Sequence, residues 1–216
     1  MKKTLADKAY DILEDKIVRL EYEPGSLISE KKLSEELGIG RMPIREAIKK
    51  LENAYLVKVM PHRGIMVTEI KMEEIFLQIE VRKILERLIT QRATKYSTPN
   101  ERKHFLDIAD RYEQITAEGT PEEAVKIDNE FNEFVADCAR NPFAAASLRP
   151  LHALARRLYF YQYYRDKEKI VDINMAHVKL MREIASGDET EAIKASDHII
   201  DLIIALHRDN YMSVLD

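Results

Sequence analysis

The chain has 216 residues, 45% hydrophobic and 33% charged, enough to bury one large core or two modest ones. A net charge of −4 excludes a protein that coats nucleic acid indiscriminately. The single cysteine, Cys138, excludes an intramolecular disulfide framework, and with Val135 and Ala139 beside it suggests a buried structural thiol in a reducing compartment.

The opening MKKTLADKAY lacks the apolar run of a secretory signal. The most apolar segment, Ile199 to Leu206, is short and broken by Asp201. A cytoplasmic protein without a membrane partner is expected. In chain order, Leu5, Ala9, Ile12, Leu13, Ile17 and Leu20 recur at helical spacing, and Pro24-Gly25 then marks a turn. Leu27 and Ile28 read as a short apolar link, followed by Ser29 as an N-cap. Leu33 and Leu37 give one short helix. Ile44, Ile48 and Leu51 give a second, opened by Pro43, with Gly38 and Gly40 between the two. Leu56, Val57 and Val59, then Ile65 and Val67, flank Pro61-His62-Arg63-Gly64 and predict a two-stranded hairpin with a basic tip. Three helices followed by a hairpin make a winged helix-turn-helix. Residues 31–63 hold eight basic against four acidic residues, so the local field is positive and suits double-stranded DNA.

Within this stretch the Pro-Gly turn, LSEELGI, the R-x-P-I-R-E-A core and the H-R-G tip resemble, in order and spacing, the N-terminal domain of GntR-family bacterial transcription regulators. Gly40 and Met42 stand where that family commonly has small hydroxyl residues, and Tyr55 where it commonly has glycine. The resemblance implies a homodimer on a palindromic operator. Arg41 and Arg45 would read base edges, Lys31, Lys32, Lys49 and Arg63 would contact phosphate, and Gly64 would let the wing approach the backbone. Met42 shares the same helix start, although it can neither cap the helix nor donate to a phosphate.

From about residue 71 the composition changes, with only Gly119 and Gly187 beyond it, and helix follows helix. Ile75, Leu77, Ile79, Val81, Ile84, Leu85 and Leu88 mark a long first member to about Tyr96. Further helices are predicted over 99–117, 121–140, 142–164, 166–186 and 188–211. The fold class expected is therefore mostly α: a winged helix-turn-helix over residues 1–70 and an antiparallel helical bundle over 71–216 for effector binding and dimerisation.

Several polar residues fall on apolar stripes of this bundle. Asp128 and Asn132 share a face with Ala124, Phe131 and Val135; His177 falls in register with Leu180, Met181 and Ile184, and His198 with Ala195, Leu202 and Ala205. A lone histidine on such a face is more often satisfied by ordinary hydrogen bonds. This part of the chain is similar to the all-helical FCD-type effector domain of the FadR subfamily. Its metal-binding members use Asp-x-x-x-His and two later histidines. The resemblance implies Asp128, Asn132, His177 and His198 as ligands of a divalent ion (Zn, Ni or Mn), with Asn132 in place of the first histidine and no organic cofactor. Arg82, if it faces inward, favours an organic-acid effector by bidentate pairing. Arg157 is read as an interhelical ion pair or a solvated residue. The aromatic and basic run Arg156–Arg165 is read as core and dimer packing rather than a single-strand stacking platform.

The leading expectation is a ligand-responsive, sequence-specific regulator and not an enzyme. The alternative is a metal-dependent hydrolase or lyase using Asp128, His177 and His198 with the winged domain as accessory. A pure protein-interaction module is a third reading. The chain has no nucleophile elbow or phosphate loop to favour the enzyme.

Overall fold

The computed structural model describes residues 3–163 and 165–215, with side chains through Arg208 apart from those gaps. Helices dominate: α1 (Leu5–Val18), α2 (Glu30–Leu37), α3 (Arg41–Asn53), α4 (Met72–Tyr96), α5 (Pro99–Glu118), α6 (Pro121–Cys138), α7 (Pro142–Tyr163), α8 (Lys167–Ser186) and α9 (Glu189–Leu215). Strands β1 (Leu27–Ile28), β2 (Val57–Met60) and β3 (Gly64–Val67) form one antiparallel sheet in the order β1-β3-β2. The predicted end of α7 at Tyr164 lies outside the described residues.

The helix starts follow from local chemistry. Thr4, Thr98 and Thr120 each accept from the backbone three residues on, while Asp7, Glu101 and Glu123 reach back to the cap, so α1, α5 and α6 open on complete capping boxes. Pro99 and Pro121 follow their caps directly, where a missing N–H costs nothing. Gly38 ends α2 in the left-handed region (φ 62°), the conformation that lets the chain turn sharply into α3.

Two compact units result. The first comprises Met1–Lys71 together with Pro150–Tyr161. Its core gathers Leu13 and Ile17 of α1, Ile44, Ile48 and Leu51 of α3, and Leu56, Ile65 and Val67 of the sheet region. Ala153 and Leu154, from the later half of α7, are buried in the same core. Helical spacing alone assigns these residues to the bundle, whereas they lie in the core of the first unit. Arg157 is here neither an ion pair between bundle helices nor a solvated side chain. It is buried, and its Nη1 donates to the carbonyl and hydroxyl oxygens of Thr68, both at 3.0 Å. Arg156 Nη2 lies 3.3 Å from Glu14 Oε1, which also accepts from the Tyr10 hydroxyl at 3.0 Å.

The sheet has one strand more than the predicted hairpin. Leu27 and Ile28, read as a link, pair with Met66 and Ile65, and β2 pairs with β3 from Val57↔Val67 to Met60↔Gly64. Two residues are too few to show alternation, so β1 is invisible to periodicity. Tyr55, with φ 59°, occupies the left-handed region just before β2.

The second unit comprises Met72–Arg149 with Gln162–Asp216. In it α4 packs on α6, α8 and α9, and α5 on α6 and α8. Phe105, Ile108, Tyr112, Ile89, Met181 and Ile184 are among its fully buried side chains. Cys138 is buried as expected, and burial pushes its thiol up to about 11, which makes it unreactive. Toward the end of α9 the core turns polar. His207 is buried with its Nδ1 3.5 Å from Gln162 Nε2, and buried Arg82 donates Nε to Glu86 Oε1 at 2.8 Å.

Burial, and then the positive charge of Arg82, push the His207 imidazole from its ordinary 6.5 down to about 4. Between these values the unfolded chain binds the proton that the folded chain refuses, so stability rises with pH across that window. Acidification from pH 6.5 to 4 is therefore expected to cost roughly 3 kcal/mol from this group. Urea unfolding of His207→Leu at several pH values should show a flatter dependence than the parent chain over the same range.

Candidate nucleic-acid interface and effector site

The recognition helix owes its orientation to its buried side. Ile44, Ala47, Ile48 and Leu51 face the core of the first unit, each 3% exposed or less. At 100° per residue, Arg41, Met42, Arg45 and Lys49 then fall within one arc on the other side, and all four are exposed. Met42 is 65% exposed, an apolar side chain presented to solvent at the start of the helix. Gly40 is the N-cap and supplies no side-chain hydrogen bond, so the helix start keeps unpaired N–H groups. Lys31 and Lys32 are exposed on the first turn of α2.

The cations are not equally available. Lys50 is tied to Asp7 at 2.6 Å, and its bond, with that of Thr4, holds the Asp7 carboxyl far below the usual carboxylate range. Arg45 donates Nε to Glu30 Oε2 at 2.8 Å. Residue spacing does not reveal Glu30, because a pair fifteen residues apart on two helices leaves no periodic signal.

The wing tip is a tight turn in which Arg63 N donates to the Met60 carbonyl at 3.0 Å, leaving His62 and Arg63 exposed. Gly64 has φ +103°, and a Cβ there would lie 2.8 Å from the Ile28 carbonyl oxygen. Only glycine lets β3 leave the turn this close to β1.

In the second unit three of the four expected ligands come together. Asn132 Nδ2 donates to Asp128 Oδ2 at 2.8 Å, and His177 Nε2 lies 3.6 Å from Asp128 Oδ1. His177 Nδ1 is 2.8 Å from the Ile173 carbonyl, so in the neutral ring Nδ1 carries the proton and Nε2 the lone pair. In that tautomer the Nε2 lone pair faces the Asp128 carboxylate. Phe131 stands nearly edge-on to the His177 ring at 6.4 Å, and Tyr112 lies 6.3 Å away on another side. The Tyr112 hydroxyl donates to Asn174 Oδ1 at 3.1 Å, a buried pair that residue spacing did not single out.

His198 does not join them. It is exposed, and the residues facing inward at this point of α9 are Ile199 and Ile200. The apolar stripe of α9 is so broad that its periodicity does not say which edge is buried, and the expected inward face was one position off. Among the described residues no three His, Cys, Asp or Glu side chains gather as a group able to hold a metal ion. The donor set is thus a carboxylate, an imidazole and an amide, an incomplete version of the four-residue set. Arg82 is buried, with its charge already met by Glu86 one turn along α4.

No helix among the described residues is long and apolar enough to cross a membrane. Comparison with known proteins bears on both units. Residues 5–67 match the family described as bacterial regulatory proteins, gntR family, and residues 78–202 match the FCD domain. The HTH-type transcriptional repressor RspR of Escherichia coli is 26% identical over 157 residues, 70% of this chain and 66% of the repressor. The Nta operon transcriptional regulator of Aminobacter aminovorans is 26% identical over 66% of each chain. The matches thus span just under two thirds of these relatives' lengths. The solved structure of E. coli McbR/YncC shares the fold, with a TM-score of 0.84 at 18% identity over 97% of this chain and 100% of that one.

Proposed function

This chain belongs to the FCD-domain proteins of the gntR family of bacterial regulators, and we propose that it is a ligand-responsive transcription regulator of FadR type acting in the cytoplasm. It binds a palindromic operator as a homodimer and responds to a small organic acid. The observation that carries the reading is the exposed arc of Arg41, Arg45 and Lys49 on a helix whose opposite side is locked into a core, with a basic wing tip in the same unit. The matched family is one of regulators, and its named relatives are regulators, so the enzyme reading has no support.

Arg41 and Arg45 read base edges, Lys31, Lys32, Lys49 and Arg63 contact phosphate, and Gly64 brings the wing to the backbone. With Gly40 and Met42 unable to supply a hydroxyl, recognition rests more heavily on the two arginines and the wing. Replacing Arg45 by Ala is expected to relax discrimination at one base pair by about 1–3 kcal/mol. Lys49→Ala should instead weaken every duplex alike and reduce the slope of log K against log salt by about 0.9. Competition binding on matched and scrambled duplexes separates the two, and an unchanged footprint and specificity in Arg45→Ala refutes the assignment.

Dimerisation is supported by α4. Leu77, Val81, Ile84 and Leu88 recur at i, i+4, i+7 and i+11 and are 63%, 48%, 68% and 37% exposed. An apolar stripe of this kind on an otherwise soluble helix fits a second copy of the chain. Ile84→Glu should convert the dimer to monomer in sedimentation analysis and lower affinity for a two-half-site duplex far more than for a single half-site. A monomeric parent protein would refute the dimer.

The effector site is placed at Asp128, Asn132 and His177, with Arg82 as the anion-pairing residue of the same unit. Asp128 and His177 would hold a Zn, Ni or Mn ion, with Asn132 in support, and such an ion would supply a Lewis acid for the carboxylate of an organic acid. Elemental analysis of protein purified without chelator should find about one divalent ion per chain, absent from Asp128→Ala. A metal-free parent removes the ion from the reading.

A further inference from the structure

We propose that Glu30 is a positioning residue for base readout, holding Arg45 by its Nε so that only the Nη1/Nη2 edge of the guanidinium is presented to DNA. The inference rests on the DNA-reading role assigned to Arg45 above. Glu30 is the first residue of α2 and directly follows the N-cap Ser29, whose side chain accepts from Lys32 N at 3.1 Å, so its backbone is fixed. The positive end of the α2 dipole favours a carboxylate at that position. Arg45 in turn rises from the second turn of α3, with buried Ile44 and Ile48 fixing the rotation of the helix beneath it. The 2.8 Å bond from Arg45 Nε to Glu30 Oε2 therefore joins two anchored points.

Three consequences follow from ordinary chemistry. An arginine side chain free in solvent samples many rotamers and can swing to the nearest phosphate; one held at Nε has lost that freedom before DNA arrives. Guanidinium can meet guanine O6 and N7 either side-on, with Nε and one Nη, or end-on, with both Nη groups. Once Nε is engaged only the end-on fork remains, which fixes the approach of α3 to the groove. Finally, a carboxylate on the DNA side is repelled by every phosphate, so it lowers affinity for all sequences and is offset only where Arg45 finds its base. Glu30 thus raises discrimination by weakening the competing sites.

The pair is partly exposed, 56% for Arg45 and 38% for Glu30, so its loss leaves folding essentially intact. The test is selection from a random-sequence duplex library, followed by dissociation constants on selected and scrambled duplexes over a salt series. The parent, Glu30→Ala, Glu30→Gln, Arg45→Ala and the double variant Glu30→Ala/Arg45→Ala are compared. The parent should select a motif containing a guanine whose preference Arg45→Ala abolishes. Glu30→Ala should lose about threefold to fivefold in specificity at that same guanine, as expected for losing an exposed pair that holds the reading side chain. It should also bind scrambled duplex more tightly, with a salt slope steeper by about 0.9 as the released arginine joins a phosphate. Glu30→Gln should keep most of the specificity, since its amide oxygen still accepts from Nε. In the Arg45→Ala background, removing Glu30 should change specificity no further. An unchanged ratio in Glu30→Ala overturns the proposal. A loss that persists without Arg45 also overturns it, by making Glu30 a direct reader. If the parent selects no motif, the DNA-reading assignment itself fails and this inference falls with it.

Discussion

Everything the first unit presents to solvent depends on the apolar seating of α3. Ile44, Ala47, Ile48 and Leu51 enter a core built from Leu13 and Ile17 of α1, from Leu56, Ile65 and Val67, and from Ala153 and Leu154 of α7. Burying an isoleucine or leucine contributes about 1.5–3 kcal/mol, whereas an exposed ion pair such as Arg45 with Glu30 contributes at most about 1 kcal/mol. The apolar terms therefore set the rotation of the helix, and the polar ones only aim the tips of side chains already placed. A turn of α3 by one residue would put Lys49 in the buried place of Ile48 and Leu51 in the exposed place of Lys50, a change no surface contact could offset.

The same unit shows how distant chain completes a small domain. A stretch of about seventy residues buries a modest core on its own. Ala153 and Leu154 extend that core, and Arg157 donates to the carbonyl and hydroxyl oxygens of Thr68, just after β3. Arg156 adds an ion pair to Glu14 on α1. The gntR-type domain of this protein is thus more than its contiguous N-terminal segment.

In the second unit the organising constraint is the cost of polar groups inside a bundle. Arg82 is met by Glu86 one turn away on α4, His207 has Gln162 beside it, and Tyr112 bonds Asn174. Asp128, Asn132 and His177 satisfy one another only in part, because the His177 tautomer set by Ile173 turns a lone pair toward a carboxylate. That partial pairing separates this cluster from its neighbours. An organic acid reaching Arg82 would exchange one carboxylate partner for another.

Local rules carried the secondary structure. The Thr-Pro-x-Glu starts of α5 and α6, the Gly38 turn and the i, i+4, i+7 stripe of α3 are decided within a few residues by hydrogen bonding and helix geometry, and each is legible in the sequence. The exposed arc from Arg41 to Lys49 follows from the same stripe and was legible with it. Partners across elements were not. Glu30 with Arg45, β1 on the edge of the wing, the buried place of Ala153 and Leu154, and His198 turned to solvent while Ile199 faces inward all depend on which surfaces distant segments present to each other. By itself the sequence determined the helices, the β2–β3 hairpin, their order and the exposed basic arc of α3, because those follow from periodicity and capping. Only the tertiary structure decided which polar side chains meet, because a separation of a few ångströms between helices has no counterpart in residue spacing.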